Sequence, residues 1–251
     1  MPQTQSLLDL LTFNVKTARG VYSRAQVDLL RTRLGYLQED KPDDLADANE
    51  EFLDKLAQIA RNSVQPTEFE VLSQANAELR KDILLILITT AEKASSLIAA
   101  KAFSQIVDIV SAADAIDKSL SASYDPFIII EGAIARIKGR KNKDEREELL
   151  IAITPEFKRL APLMQGNKDR TDQYLGFFRD MLIMAESQGG VKTLLENIRL
   201  LASECGVVLN VPLKGRENLD MVFGAIGEAM MIQRPSTPPP NPGRPVLEQT
   251  R

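Results

Sequence analysis

TEFEVLSQANAELRKDILLILITTAEKASSLIAAKAFSQIVDIVSAADAIDKSL, residues 67–120, holds neither proline nor glycine. Apolar side chains recur at Phe69, Leu72, Leu79, Ile83, Ile86, Leu87, Leu97, Ile98, Phe103, Ile106, Val107, Val110, Ile116 and Leu120. That is the three- and four-residue spacing of a helix with one buried stripe. It predicts one very long central helix or two in tandem. Ile83 to Ile88 is apolar all round, which places it mid-core, and the alanines and serines nearby let other helices approach closely. A membrane-inserting hairpin is the alternative, but Glu92, Lys93, Lys101, Asp108, Asp114 and Asp117 interrupt the run. A buried core is the expectation.

Toward the N-terminus, Leu7, Leu8, Leu10 and Leu11 predict a first helix that pauses near Gly20. Ser23 is placed to cap a second, with Val27, Leu29, Leu30, Leu34 and Leu37 inward. Lys41-Pro42-Asp43 ends it. Asp43 starts a third, with Leu45, Phe52, Leu53, Leu56 and Ile59 at helical spacing, running to the Asn62-Ser63 break.

Toward the C-terminus, Asp125-Pro126 restarts the chain, and Phe127 to Ile137 reads as a helix. The β-branched Ile128, Ile129 and Ile130 make a short strand the competing reading. Lys143 to Ile153 and Thr154 to Met164 read as two shorter helices, the second with Thr154 as cap and Pro155 at its first position. Gln165-Gly166-Asn167 breaks the chain. Asp169 to Ser187 carries Tyr174, Leu175, Phe178, Met181, Leu182 and Met184 at helical spacing. Val191 to Cys205 follows Gly189-Gly190 and should end at Gly206. Val207 to Val211 is a strand candidate too short and isolated to build a sheet, and Leu219 to Ile232 supplies a last helix. The expectation is an all-α multi-helix bundle. Residues 1–164 form its body, and residues 165–233 a smaller C-terminal subdomain or a continuation of it. Residues 234–251 form a tail whose Pro235, Pro238, Pro239, Pro240, Pro242 and Pro245 cannot keep a helix and favour extended polyproline or disorder.

At 251 residues, 44% hydrophobic and 26% charged, the chain can bury a full core. The absence of Trp and only 5% aromatics predict a core of Leu, Ile, Ala and Val. A net charge of -4 offers no general attraction for a polyanion. With Cys205 the lone cysteine and no histidine, neither an internal disulfide nor a cysteine cluster can form, and imidazole-based catalysis and most zinc or haem sites are excluded. Carboxylate-and-magnesium chemistry survives that filter. Met1 to Leu11 lacks the basic start and long apolar run of a secretory signal. A cytoplasmic protein is expected.

The motifs that could carry chemistry are weighed against simpler roles. Asp43-Asp44-Leu45-Ala46-Asp47 has the spacing with which prenyl-diphosphate enzymes hold magnesium. Acids at a helix start, favoured by the macrodipole, explain the same residues better. Arg136, Lys138, Arg140, Lys141, Lys143 and Arg146 form a basic cluster that could dock phosphate from nucleic acid, nucleotide or lipid. Asp144, Glu145, Glu147 and Glu148 follow at pairing distance, so a solvated connection between helices is the simpler reading. In the tail, Pro239, Pro242 and Arg244 have the prolines three apart and the basic residue that suit an aromatic groove, though a spacer needs the same composition. Leu163, Gln165, Gly166, Asp169, Tyr174, Phe178 and Leu182 resemble the major homology region of retroviral capsid proteins, a turn plus helix that supports shell assembly. Phe177 stands where that family has a basic residue, Asp169 replaces a glutamate, and no zinc-knuckle cysteines and histidines follow. These residues do not assign the chain to that family.

The reading that emerges is a non-enzymatic helical scaffold, whose partners are other proteins and further copies of itself. A membrane-active helical protein is the first alternative, motivated by the apolar stretches at Ile83 to Val110 and Phe127 to Ile137. A nucleic-acid-coating assembly protein using Arg136 to Arg146 is the second. The sequence implies no cofactor, metal or small-molecule substrate.

Overall fold

The structure, a computed structural model, describes residues 7–12, 22–63, 70–116, 126–164, 168–184, 191–204, 207 and 219–232. The described residues are all-helical, with no strand among them. The helices are α1 (Leu7–Leu10), α2 (Arg24–Glu39), α3 (Glu50–Asn62), α4 (Glu70–Lys93), α5 (Ser96–Ile116), α6 (Pro126–Lys138), α7 (Lys143–Met164), α8 (Lys168–Met184), α9 (Val191–Glu204) and α10 (Leu219–Ile232), plus a 3-10 turn at Pro42–Asp47. The proline-rich tail and the Gln165-Gly166-Asn167 break lie outside the described residues, as does the strand candidate except for Val207.

The prolineless stretch is two helices rather than one. They break at Ala94-Ser95 and pack side by side. Two features stop α4. Ser95 supplies a residue suited to starting the next helix, its carbonyl accepting from the Ala99 amide at 2.8 Å. The Arg140 guanidinium donates to the carbonyls of Ala91 (3.0 Å) and Ala94 (2.7 Å), groups that the last turn of a helix leaves without an internal partner. Leu97, expected inward, sits in the first turn of α5 and is 73% exposed.

Packed on this pair are α2, α3 and the 3-10 turn, and also α6 and α7. Ser23 caps α2 as expected, in a full capping box with Gln26. Val27, Leu30, Leu34 and Leu37 are buried, while Leu29 faces out. The helix expected from Asp43 starts later. Pro42 opens a 3-10 turn that buries Leu45, and α3 begins after Asn49, whose Oδ1 accepts from the Phe52 amide at 2.9 Å. α1 covers Leu7–Leu10, the pause expected near Gly20 lies outside the described residues, and the Arg33 guanidinium donates to the carbonyls of Leu10 and Thr12.

α6 is helical, not a strand, with Ile129, Ile130, Ala133, Ile134 and Ile137 buried along one stripe. The two short helices expected after it are one. α7 continues through Pro155, and Thr154 is no cap, because its hydroxyl donates back to the Leu150 carbonyl at 2.8 Å. A proline inside a helix costs about 3 kcal/mol. Leu149, Leu150, Ile153 and Leu160 are all fully buried around it, at about 1.5–3 kcal/mol each, so burial wins.

α7 also packs on α8 and α9, and α10 rests on those two helices. One apolar core runs through both groups, from Leu34, Ile86 and Phe103 to Tyr174, Ile198 and Ile226.

Candidate functional site

Several cations among the described residues close helix interfaces. Arg31 on α2 reaches Glu78 and Asp82 on α4, and Lys101 on α5 holds Glu50 and Asp54 on α3. Lys93 bonds Asp43 at 2.6 Å, Arg136 bonds Glu92 at 2.6 Å, and Arg159 bonds Asp108. The Asp82 hydrogen bond raises Arg31's pKa above its usual value, the Asp108 bond does so for Arg159, and the Glu50 bond does so for Lys101. The hydrogen bond from Lys93 lowers Asp43's below the ordinary carboxylate value. The aspartates whose spacing matched a magnesium motif sit on a 3-10 turn, with Asp43 tied to a lysine. No group of three or more His, Cys, Asp or Glu suited to a metal occurs among the described residues.

The basic cluster is brought together at the α6–α7 connection, but its members do different things. Arg140 is buried, with its side chain 5% exposed, and secures α4 while pairing with Glu145 at 3.2 Å. Arg136 is bound to Glu92, and Lys138 lies 5.9 Å from the centre of the Phe177 ring. Lys143 is 3.7 Å from the buried Glu147, and Arg146 donates to the Arg140 carbonyl at 3.3 Å. Lys141 is exposed. Arg80 plays a part like that of Arg140. It is 1% exposed and donates to the Ser63 carbonyl at 2.6 Å, where α3 ends. These roles were missed in the sequence, where an arginine beside Leu79 and Ile83 was the available signal.

The tail residues Pro239, Pro242 and Arg244 lie outside the described residues. Of the capsid-like pattern, Asp169 and Tyr174 fall on α8, with Tyr174 buried, and Gln165 and Gly166 are not described.

The concave surface that sequence reading did not find lies between α8 and α10. One hollow of about 430 Å³ is lined by Lys168, Thr171, Asp172, Phe223, Gly224, Gly227, Glu228 and Met231. A second of about 290 Å³, sharing Asp172, Phe223 and Gly224, continues it to Leu175, Gly176, Arg179 and Asp220. Lys168 at the start of α8 meets Met231 at the end of α10, and Arg179 near the end of α8 pairs with Asp220 at the start of α10. The helices are thus antiparallel, and the groove runs the length of α10. Its wall is mostly apolar.

Glycine makes this groove. A Cβ on Gly227 would lie 3.4 Å from Leu175 Cδ1, so the bare backbone allows the close approach of α8, whereas a Cβ on Gly224 would meet nothing within 4 Å. Each glycine in a helix interior costs about 0.5–1 kcal/mol relative to alanine, and two in one helix were the overlooked sequence signal. Met221 and Met231 flank the glycines, 56% and 41% exposed. The Arg179 guanidinium lies 5.8 Å from the Phe223 ring and closes one end.

No family model, no curated protein and no solved structure matches this chain. No helix among the described residues is long and apolar enough to cross a membrane.

Proposed function

We propose that this chain is a non-enzymatic helical scaffold that self-assembles through the α8–α10 face, with a second copy as partner. The observation that carries the reading is the apolar groove flanked by exposed Met221 and Met231 on a helix whose charged residues are Asp220 and Glu228 alone. Flexible methionines beside glycine notches make an adaptable contact surface. The pattern is also self-complementary. Laid antiparallel on its copy, α10 sets Met221 against Met231 and Glu228 against Gly224. A two-fold contact requires such self-complementarity.

Light scattering on the full chain across a wide concentration range tests the proposal. The mass should rise with concentration, and Gly224→Glu, which places a charge on the groove floor, should return it to that of one chain. A wild-type chain that stays monomeric throughout would remove the reading. Liposomes or RNA that change the mass of a chain otherwise monomeric would support the membrane or nucleic-acid alternative instead.

A further inference from the structure

We infer that Met221 and Met231 form a reversible oxidation site: hydrogen peroxide converts both to sulfoxides, and the modified chain no longer associates with its copies. The inference rests on reading the α8–α10 face as the contact between copies.

Access separates these two methionines from their neighbour. In the single chain Met221 is 56% and Met231 41% exposed, whereas Met230, adjacent in sequence, is 0% exposed. Val222, Ile226 and Met230 turn to the core and leave the other two methionines of α10 outside. Oxidation of a thioether follows its exposure, so the pair in solvent reacts ahead of the one in the core. The step needs only the peroxide. A lone pair on the Met sulfur attacks one peroxide oxygen, the S–O bond forms as the O–O bond breaks, and the departing hydroxide takes the proton left on the transferred oxygen and becomes water. Sulfur loses two electrons and the peroxide gains them. A thiol-dependent reductase reverses the change: two thiols become a disulfide, and the sulfoxide oxygen leaves as water.

Placement gives the modification its consequence. The two methionines stand near opposite ends of α10, about 15 Å apart along its axis at about 1.5 Å per residue. In an antiparallel contact each faces the other's counterpart on the second copy, so one contact buries four thioethers in two opposed pairs. A thioether is apolar and adapts to an irregular surface. A sulfoxide oxygen accepts hydrogen bonds and has no donor, and it would face another of the same kind. Burying such a group without a partner is penalised. In the free chain both positions face water, so oxidation there leaves the core as it is.

The native chain is treated with dilute peroxide at a concentration where light scattering gives one chain, quenched, mapped by peptide mass spectrometry, and returned to light scattering at rising concentration. Met221 and Met231 should oxidise before Met230. The dissociation constant between copies should rise on the order of a hundredfold, about tenfold for each opposed pair. A methionine sulfoxide reductase supplied with dithiothreitol should bring it back. In the double variant Met221→Leu, Met231→Leu, the dissociation constant, whatever its untreated value, should not move with peroxide, although Met230 and Cys205 are still present. Should that variant itself fail to associate, the loss and recovery in the native chain decide the matter. A native chain that carries both sulfoxides and associates as before would overturn the inference and leave the proposed function standing. Equal oxidation of Met230 and Met231, no recovery with the reductase, or peroxide sensitivity in the double variant would overturn it as well. An untreated chain that stays monomeric at every concentration would remove the proposed function and this oxidation site's role together.

Discussion

The helices α2 to α7 and the helices α8 to α10 are built from similar amphipathic material but use their charges differently. In the first group ion pairs bridge one helix to the next, as Arg31, Lys93, Lys101, Arg136 and Arg159 do. Arg33, Arg80 and Arg140 also reach across to carbonyls at the ends of α1, α3 and α4. Among the described residues of the second group Arg179–Asp220 joins α8 to α10, and α10 leaves methionine and glycine in contact with solvent. A charge used inside a fold is unavailable to a ligand. Apolar surface that the fold leaves uncovered is available to a partner.

The sharpest way to break this contrast is at Arg140. Arg140→Ala strands the Ala91 and Ala94 carbonyls in a buried site, and should cost about 3 kcal/mol in urea unfolding. Arg140→Lys should recover only part of that, since an ammonium lacks the fork that reaches both carbonyls. Lys141→Ala, one residue away on the surface, should stay within about 0.5 kcal/mol of wild type. Equal effects at positions 140 and 141 would contradict the capping role.

At the groove the sign should reverse. Gly224→Ala adds a methyl that meets nothing and removes glycine's entropic penalty, so it should stabilise the chain by about 0.5–1 kcal/mol while weakening assembly. A variant both less stable and normally assembled would mean the groove is not shaped by its glycines.

Two pH effects sharpen the account of the first group. Burial raises the Tyr22 pKa above its ordinary value, against a smaller opposing effect of the Asn62 hydrogen bond. The stability from keeping this phenol neutral is full below about pH 10 and is lost as pH rises through the higher folded value. Tyr22→Phe should therefore flatten the alkaline limb of the stability curve. The smallest effect belongs to Asp43, whose pKa is lowered by Lys93. Its contribution is present above about pH 3.9 and lost as pH falls through the lower folded value, so Asp43→Asn and wild type should converge in acid. Divergence there would contradict the pairing.

The helical class was legible because the apolar spacing at Val27, Leu30, Leu34 and Leu37, or at Phe52, Leu53, Leu56 and Ile59, is that of a helix with one buried face. The joints were not. The Ala94-Ser95 break depends on Arg140, distant in sequence, and the continuity of α7 through Pro155 depends on burial that local preference does not report. The groove was illegible for a related reason. Gly224 and Gly227 read as weak helix formers until α8 lies beside them. The basic run at 136–146 was visible as charge, but which partner each cation takes is a tertiary fact.

The most direct test places the two groups side by side in one experiment. Sedimentation equilibrium of the full chain would compare Gly224→Glu and Met221→Glu with Leu97→Glu and Ile128→Glu, which sit at exposed apolar positions on α5 and α6. The account predicts that the two α10 variants lose concentration-dependent association and the other two retain it. Dissociation caused by Leu97→Glu or Ile128→Glu, with the α10 variants still assembled, would contradict it.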